Sequence, residues 1–203
     1  MTPVPAEQAK AIIQAILILF IIMDPLGNAP LFYAYTSKLS SSLRRKIITT
    51  SVIVASALLL FFGLVGQPFF EFFGVSLSDF RIAGGIILFI YGVMGILGKS
   101  EAERIEEPES LAIVPFATPL LAGPGAIATV IYTRYNWGLD VTLISIAVNT
   151  VLSLILLLLG ERLLSLLGKH GSLLLVRLFS MILAAIAVSM IRQGVVEIVK
   201  GVV

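Results

Sequence analysis

The chain contains no cysteine and one histidine, His170. Disulfides, a thiolate nucleophile and Cys-based zinc sites are thereby excluded, and a lone imidazole offers no cluster for another metal. Charge is scarce as well, with Asp, Glu, Lys and Arg making up 13% of 203 residues. No Walker lysine loop, His-x-x-x-His pair or Gly-x-Ser-x-Gly elbow occurs, which argues against ATPase, metalloprotease and hydrolase chemistry and for a protein that is not an enzyme. What is abundant is apolar surface. Hydrophobic residues make up 58% of the chain and the mean hydropathy is +1.05, more than a soluble domain of this size can bury. These numbers point to a lipid bilayer.

A spanning helix needs about 20 mainly apolar residues, and six segments qualify, near 11–35, 47–66, 80–98, 111–134, 140–160 and 174–192. The predicted architecture is an all-α membrane protein of six transmembrane helices. The apolar stretch after Lys10 carries no small-residue cleavage pattern, so it reads as retained, not as a signal peptide. The 14 Lys and Arg against 12 Asp and Glu leave a net charge of +2. The cations flank apolar runs, as in Lys38 and Arg44-Arg-Lys46, which membrane orientation explains without nucleic acid.

One stretch reads as a solvated linker, Lys99 to Ser110, with seven charges and Pro108. It divides the chain at its midpoint into 1–98, the linker 99–110 and 111–203. An offset of 94 pairs Pro25-Leu26 with Pro119-Leu120, Gly66 with Gly160 and Gly74 with Gly168, and after a two-residue insertion Arg81 with Arg177. Each half then holds three spans, and three being odd, the second half enters the membrane from the opposite side. This is the inverted three-helix repeat common among secondary transporters. Lys10, Arg81, Arg134, Arg192 and Lys200 fall on the side of the termini, against Lys38, Arg44, Arg45, Lys46, Lys99, Arg104, Arg162, Lys169 and Arg177 opposite. Five against nine predicts a multi-pass cell-membrane protein with both termini outside the cytoplasm.

The first span contains Asp24-Pro-Leu-Gly-Asn-Ala-Pro30 and the fourth Thr118-Pro-Leu-Leu-Ala-Gly-Pro-Gly-Ala126. Proline has no N–H, so Pro25 frees the carbonyl of Ile21 and Pro30 that of Leu26, while Pro119 and Pro124 do the same for Pro115 and Leu120. Such groups are tolerated at membrane depth only inside protein or beside a wet cavity, and interrupted spans at matching places in two halves mark transporter sites. The predicted first and fourth helices are therefore broken, with second half-helices starting at Asn28 to Pro30 and at Gly123 to Pro124. Helix starts carry free N–H groups and helix ends free carbonyls, so each break suits a zwitterion. The small residues around them, Ala29, Ala117, Ala122, Gly123, Gly125 and Ala126, leave room for a ligand and equally allow close helix packing.

Asp24 is the acid placed well inside a span, where a carboxylate is costly. It can contact an ammonium, carry a proton, bind sodium, or simply cap backbone N–H groups. Thr118 is its counterpart. Arg81 and Arg177, at span ends, either meet a substrate carboxylate or snorkel, and Asn149 is read as an interhelical hydrogen bonder. Glu71 and Asp79 accompany the aromatic stretch Pro68-Phe-Phe-Glu-Phe-Phe73, read as an interfacial turn, and His170 is read as a loop residue.

At the two interrupted spans the sequence resembles the MarC family of bacterial and archaeal membrane proteins, which includes the SnatA small neutral amino acid transporters. The resemblance rests on Asp24 to Pro30 with Phe32 and on Thr118 to Ala126. It implies transport of a small neutral amino acid of the glycine and alanine class, driven by a proton or sodium gradient, with no cofactor. Asp24, Gly27, Asn28, Gly123, Pro124 and Gly125 would form the substrate region, joined on the residue reading by Pro25 and Thr118. A channel or exporter for another small polar solute, and a non-transporting scaffold, are the alternatives.

Overall fold

The computed structural model describes residues 5–36, 39–97, 108–165 and 168–201, so the linker lies outside them up to residue 107. Every regular element among the described residues is helical. Helices α1 (Pro5–Met23) and α2 (Pro25–Thr36) are followed by α3 (Ser41–Phe73) and α4 (Leu77–Ile96). A 3-10 turn, Pro108–Ala112, and a π-type segment, Ile113–Leu121, lead into α5 (Pro124–Trp137), and α6 (Leu139–Ser165) and α7 (Gly168–Val199) complete the bundle. Among the described residues, five runs are long and apolar enough to cross a membrane: Glu7–Tyr33, Ser41–Gly66, Leu77–Ile96, Leu139–Gly160 and Ser180–Val199. Ser110–Leu121 with Pro124–Trp137, bent by 59°, makes a sixth if read as one crossing. The last run overlaps the expected 174–192 and reaches seven residues further, because Val195, Val196, Ile198 and Val199 extend it past Arg192.

Local chemistry explains the boundaries. Ser40 caps α3 by accepting from the Leu43 N–H at 3.3 Å. The buried Arg44 reaches back to the end of α2 and the turn beyond it, donating to Thr36 O at 3.1 Å and to Leu39 O at 3.2 Å, which satisfies the terminal carbonyl of α2 with a cation where the helix dipole favours one. The stretch Pro68–Phe73 is not a turn: α3 runs through it, with the rings of Phe62, Phe69, Phe70 and Phe80 packed on one another. Gly74 stops the helix in the left-handed region, φ 62°, and the Val75 N–H to Phe70 O bond at 3.2 Å completes a Schellman closure. Ser76 and Asp79 then cap α4 reciprocally, so Asp79 serves local structure. His170 lies in the first turn of α7, not in a loop.

Cross-helix contacts give the directions. Gln8 Nε2 donates to Asp140 Oδ2 at 2.7 Å, Asn149 Nδ2 to Ile16 O at 3.2 Å, and Gly160 packs on Ala29, so α6 runs parallel to α1 and α2. Asn149 thus bridges helices as expected. Helices α3 and α6 are antiparallel, joined by Ser56 and Thr150, whose hydroxyls lie 2.6 Å apart. Helix α4 packs chiefly on α7, antiparallel, through Gly85 against Ala187 and Ile191, Gly92 against Ala184, and Gly95 against Ser180. Without a hydrophobic force between helices in lipid, backbone proximity at small residues is what holds such a pair. Arg81 forms an ion pair with Glu197, which also accepts from Ser78 Oγ at 2.7 Å. Arg81 therefore joins α4 to α7, while Arg177 is exposed. Ser51, Thr133 and Thr142 each donate to the carbonyl four residues back, as does one of Ser56 and Thr150 while the other donates across the pair, keeping polar groups satisfied where water is absent.

Candidate substrate site

Backbone departures from helix occur in the two proline-rich segments, and all but that of Ala122 (φ −100°, ψ 57°) directly precede a proline. Asp24 has φ 42°, Val114 and Thr118 are extended at φ −127° and −136°, and Gly123 is extended at φ −76°, ψ 173°. The cause is steric: a proline ring disfavours the α conformation of the residue before it. Ala29, before Pro30, stays within α2.

The two interruptions differ. In the first, the Asp24 N–H still bonds Phe20 O and the Asn28 N–H bonds Asp24 O, both at 3.0 Å, so Glu7–Tyr33 continues as one apolar run. Asp24 caps α2, accepting the Gly27 N–H on Oδ1 at 2.9 Å, and Pro25 takes the first helical position that suits it. Helix α2 therefore starts at Pro25, one turn before the expected Asn28 to Pro30, because aspartate followed by proline is already a complete start. Asn28 is instead buried in α2 and donates from Nδ2 to Met23 O at 2.9 Å, closing the end of α1. In the second interruption the chain bends by 59°, the Ala122 N–H bonds Ala117 O at 2.8 Å, and α5 starts at Pro124 with Gly123 as its cap residue.

The tertiary structure packs these segments together. A Cβ on Gly125 would lie 3.1 Å from Ile22 Cγ2, and one on Gly84 of α4 3.2 Å from Pro119 and 3.7 Å from Pro124. Phe32 of α2 stacks on Phe116 of the π-type segment, centroids 4.0 Å apart. Gly125, Pro124 and Pro119 thus meet α1 and α4. Gly123 folds against its own segment, its missing Cβ leaving space for Pro119 O. Asp24 and Gly27 are exposed, Pro25 is buried and Thr118 half-buried. Among the described residues, the Asp24 carboxylate bonds only the Gly27 N–H and does not reach the second segment. The first-turn N–H groups of α5, at Gly125 and Ala126, have no intrahelical acceptor, while at the end of α1 Pro25 leaves the carbonyl of Ile21 without its usual N–H, so the two helix ends carry opposite partial charges. Sequence reasoning passed over the aromatic cluster around Phe116, which includes Tyr35 and Tyr91. Its members are separated by up to 84 residues, and nothing local announces their meeting.

The fold and these segments define a polytopic integral membrane protein with several apolar helices. Comparison with known proteins specifies the family: the profile of the MarC family integral membrane protein matches residues 9–199, and the chain belongs to that family. It is 36% identical over 190 residues to a UPF0056 membrane protein of Archaeoglobus fulgidus, covering 88% of this chain and 89% of the relative. It is 34% identical over 181 residues to one of Pyrococcus abyssi, covering 87% and 90%. The UPF0056 inner membrane protein YhgN of Escherichia coli is 31% identical over 194 residues, covering 94% and 98%. No solved structure matches.

Proposed function

We propose that this chain is a secondary transporter of small neutral amino acids, coupled to a proton or sodium gradient and working by alternating access between two inverted three-helix repeats. The observation that carries the reading is the packing of two proline-interrupted segments on each other, Gly125 on Ile22 and Phe32 on Phe116, inside a membrane bundle. Interrupted spans supply backbone groups of both signs where hydrocarbon would otherwise forbid them. In this reading the substrate carboxylate lies on the N–H groups of Gly125 and Ala126. Its ammonium meets carbonyls at the end of α1 and the carboxylate of Asp24. Pro25, Gly27, Asn28, Thr118, Gly123 and Pro124 shape the surroundings.

The repeat is supported by particular contacts. Ser56 and Thr150 are equivalent under the 94-residue offset, and their hydroxyls hydrogen-bond to each other at 2.6 Å. Equivalent residues touch only where a two-fold axis passes between them. The same offset converts the Phe32 and Phe116 contact into one between Ala126 and Ile22, and Gly125, the neighbour of Ala126, packs on Ile22. The excess of Lys and Arg on the linker side supports a cytoplasmic position for that end.

Purified protein in liposomes tests the reading by uptake of labelled glycine and alanine under an imposed proton or sodium gradient. Saturable, gradient-driven accumulation is expected. Flux that rises linearly with concentration, or that equals that of empty liposomes, overturns it.

A further inference from the structure

We infer that Phe32, Tyr35, Tyr91 and Phe116 form the seal that closes the linker end of the path between the interrupted segments, and that a solute leaves on that side only when these rings part. The inference rests on the transport reading for the solute, but the seal itself is a statement about access. Three elements converge there. Phe32 stacks on Phe116 at 4.0 Å with the ring planes 17° apart. Tyr35 meets Phe116 edge-on at 6.1 Å and Tyr91 at 6.3 Å. Phe32, Tyr35 and Phe116 are buried, and Phe116 is 0% exposed. The Tyr35 hydroxyl donates to Tyr91 O at 2.6 Å, tying α2 to α4, and Gly95 makes room for that hydroxyl, since a Cβ there would lie 3.1 Å from it.

The position is that of a gate. Phe32 stands eight residues past Asp24 along α2, about 12 Å of helix rise, and Tyr91 seven past Gly84 on α4, about 10 Å. Gly84 itself lies against Pro119 and Pro124 at the second interruption. The rings therefore stand between the interruptions and the end of the bundle where α2 and α4 finish.

The opposite end is built differently. Under the offsets of 94 for the first and fourth spans and 96 for the third and sixth, Phe32, Tyr35, Tyr91 and Phe116 correspond to Ala126, Thr129, Ala187 and Ile22. Ile22 is 41% exposed where its counterpart Phe116 is fully buried. Ala126, Thr129 and Ala187 are buried as well, so the two ends differ in what fills them: four rings at the linker end, and two alanines, a threonine and an isoleucine at the other.

The absence of cysteine permits a direct test by single-cysteine labelling in membrane vesicles of both orientations, with Ser110→Cys marking the linker side. Thr118→Cys, half-buried beyond Phe116, should resist a charged, membrane-impermeant maleimide added from the linker side. It should become reactive there when Phe116→Ala is added. Tyr35→Phe, which keeps the ring and loses only the hydrogen bond to Tyr91 O, should raise the linker-side rate about fivefold. This milder variant decides the matter if Phe116→Ala fails to reach the membrane, as judged by the yield of labelled Ser110→Cys. Linker-side labelling of Thr118→Cys with the rings intact overturns the seal. So does protection that survives both ring variants. Labelling as expected together with no amino acid uptake retains the seal and removes the substrate assignment. Saturable uptake with unaltered labelling does the reverse.

Discussion

Asp24 carries a local structural duty and a proposed ionic one, and a series of substitutions separates them. Its backbone is left-handed at φ 42°, and its Oδ1 accepts the Gly27 N–H at 2.9 Å. Asparagine tolerates that conformation and keeps the acceptor, so Asp24→Asn removes only the charge and should change stability by a few tenths of a kcal/mol. Glycine suits the backbone but loses the cap, which also costs only a few tenths. Alanine loses the cap, worth about 1 kcal/mol, and pays about 1 kcal/mol more for left-handed backbone, so Asp24→Ala should lose about 2 kcal/mol. Thermal melting in detergent should therefore rank the parent, Asn and Gly together, with Ala below. Transport should rank differently. If the carboxylate holds the substrate ammonium, Asp24→Asn weakens amino acid affinity by about 1.5 to 3 kcal/mol, or about ten- to over a hundredfold. If it carries the coupling proton, exchange survives while gradient-driven uptake fails. Asp24→Asn transporting like the parent in proteoliposomes would refute the ionic role and leave the cap. Equal melting of Asn and Ala would refute the cap.

Gly123→Ala should lower folded yield, because the new Cβ meets the Pro119 carbonyl; a melting temperature equal to the parent's would contradict that geometry. Gly125→Val presses on Ile22 and should abolish uptake at near-normal membrane yield, which immunoblotting and flux measure together. At the α4 and α7 seam, a Cβ on Gly92 would stand 2.7 Å from the Ala184 backbone nitrogen, so Gly92→Leu should destabilise by about 1 to 3 kcal/mol through overpacking, read as loss of the monodisperse peak in size-exclusion chromatography. Reporter enzymes fused after residue 203 and within 99–107 should report opposite sides of the membrane, the linker fusion being cytoplasmic; the same side for both would refute the topology.

Much of this molecule is legible without a structure because its causes are local. Membrane residence follows from composition, since 58% hydrophobic residues exceed what a soluble core can hide. The irregular backbone at Asp24, Thr118 and Gly123 follows from the prolines beside them, a covalent and steric effect that needs no partner. Local rules also err where two of them compete. Asn28 looked like the start of a half-helix, yet Asp24 with Pro25 supplies a start one turn earlier and Asn28 is left to bridge back to Met23 O. Pro68 looked like the beginning of a turn, yet the packed rings of Phe62, Phe69 and Phe70 keep α3 helical to Phe73.

Tertiary structure alone decided who meets whom. Arg81 read as a snorkelling cation, with a substrate contact as the alternative, until Glu197, 116 residues away, came to face it. Ser56 and Thr150 were unremarkable polar residues in two apolar helices until antiparallel packing set their hydroxyls together. The rings of Phe32, Tyr35, Tyr91 and Phe116 come from three stretches of chain, and each in isolation is one more apolar side chain in a hydrophobic run. A hydropathy pattern records how much of a helix avoids water, but in lipid every apolar face avoids it equally. The choice of partner falls to close contacts and hydrogen bonds between distant residues, and these exist only once the helices are packed.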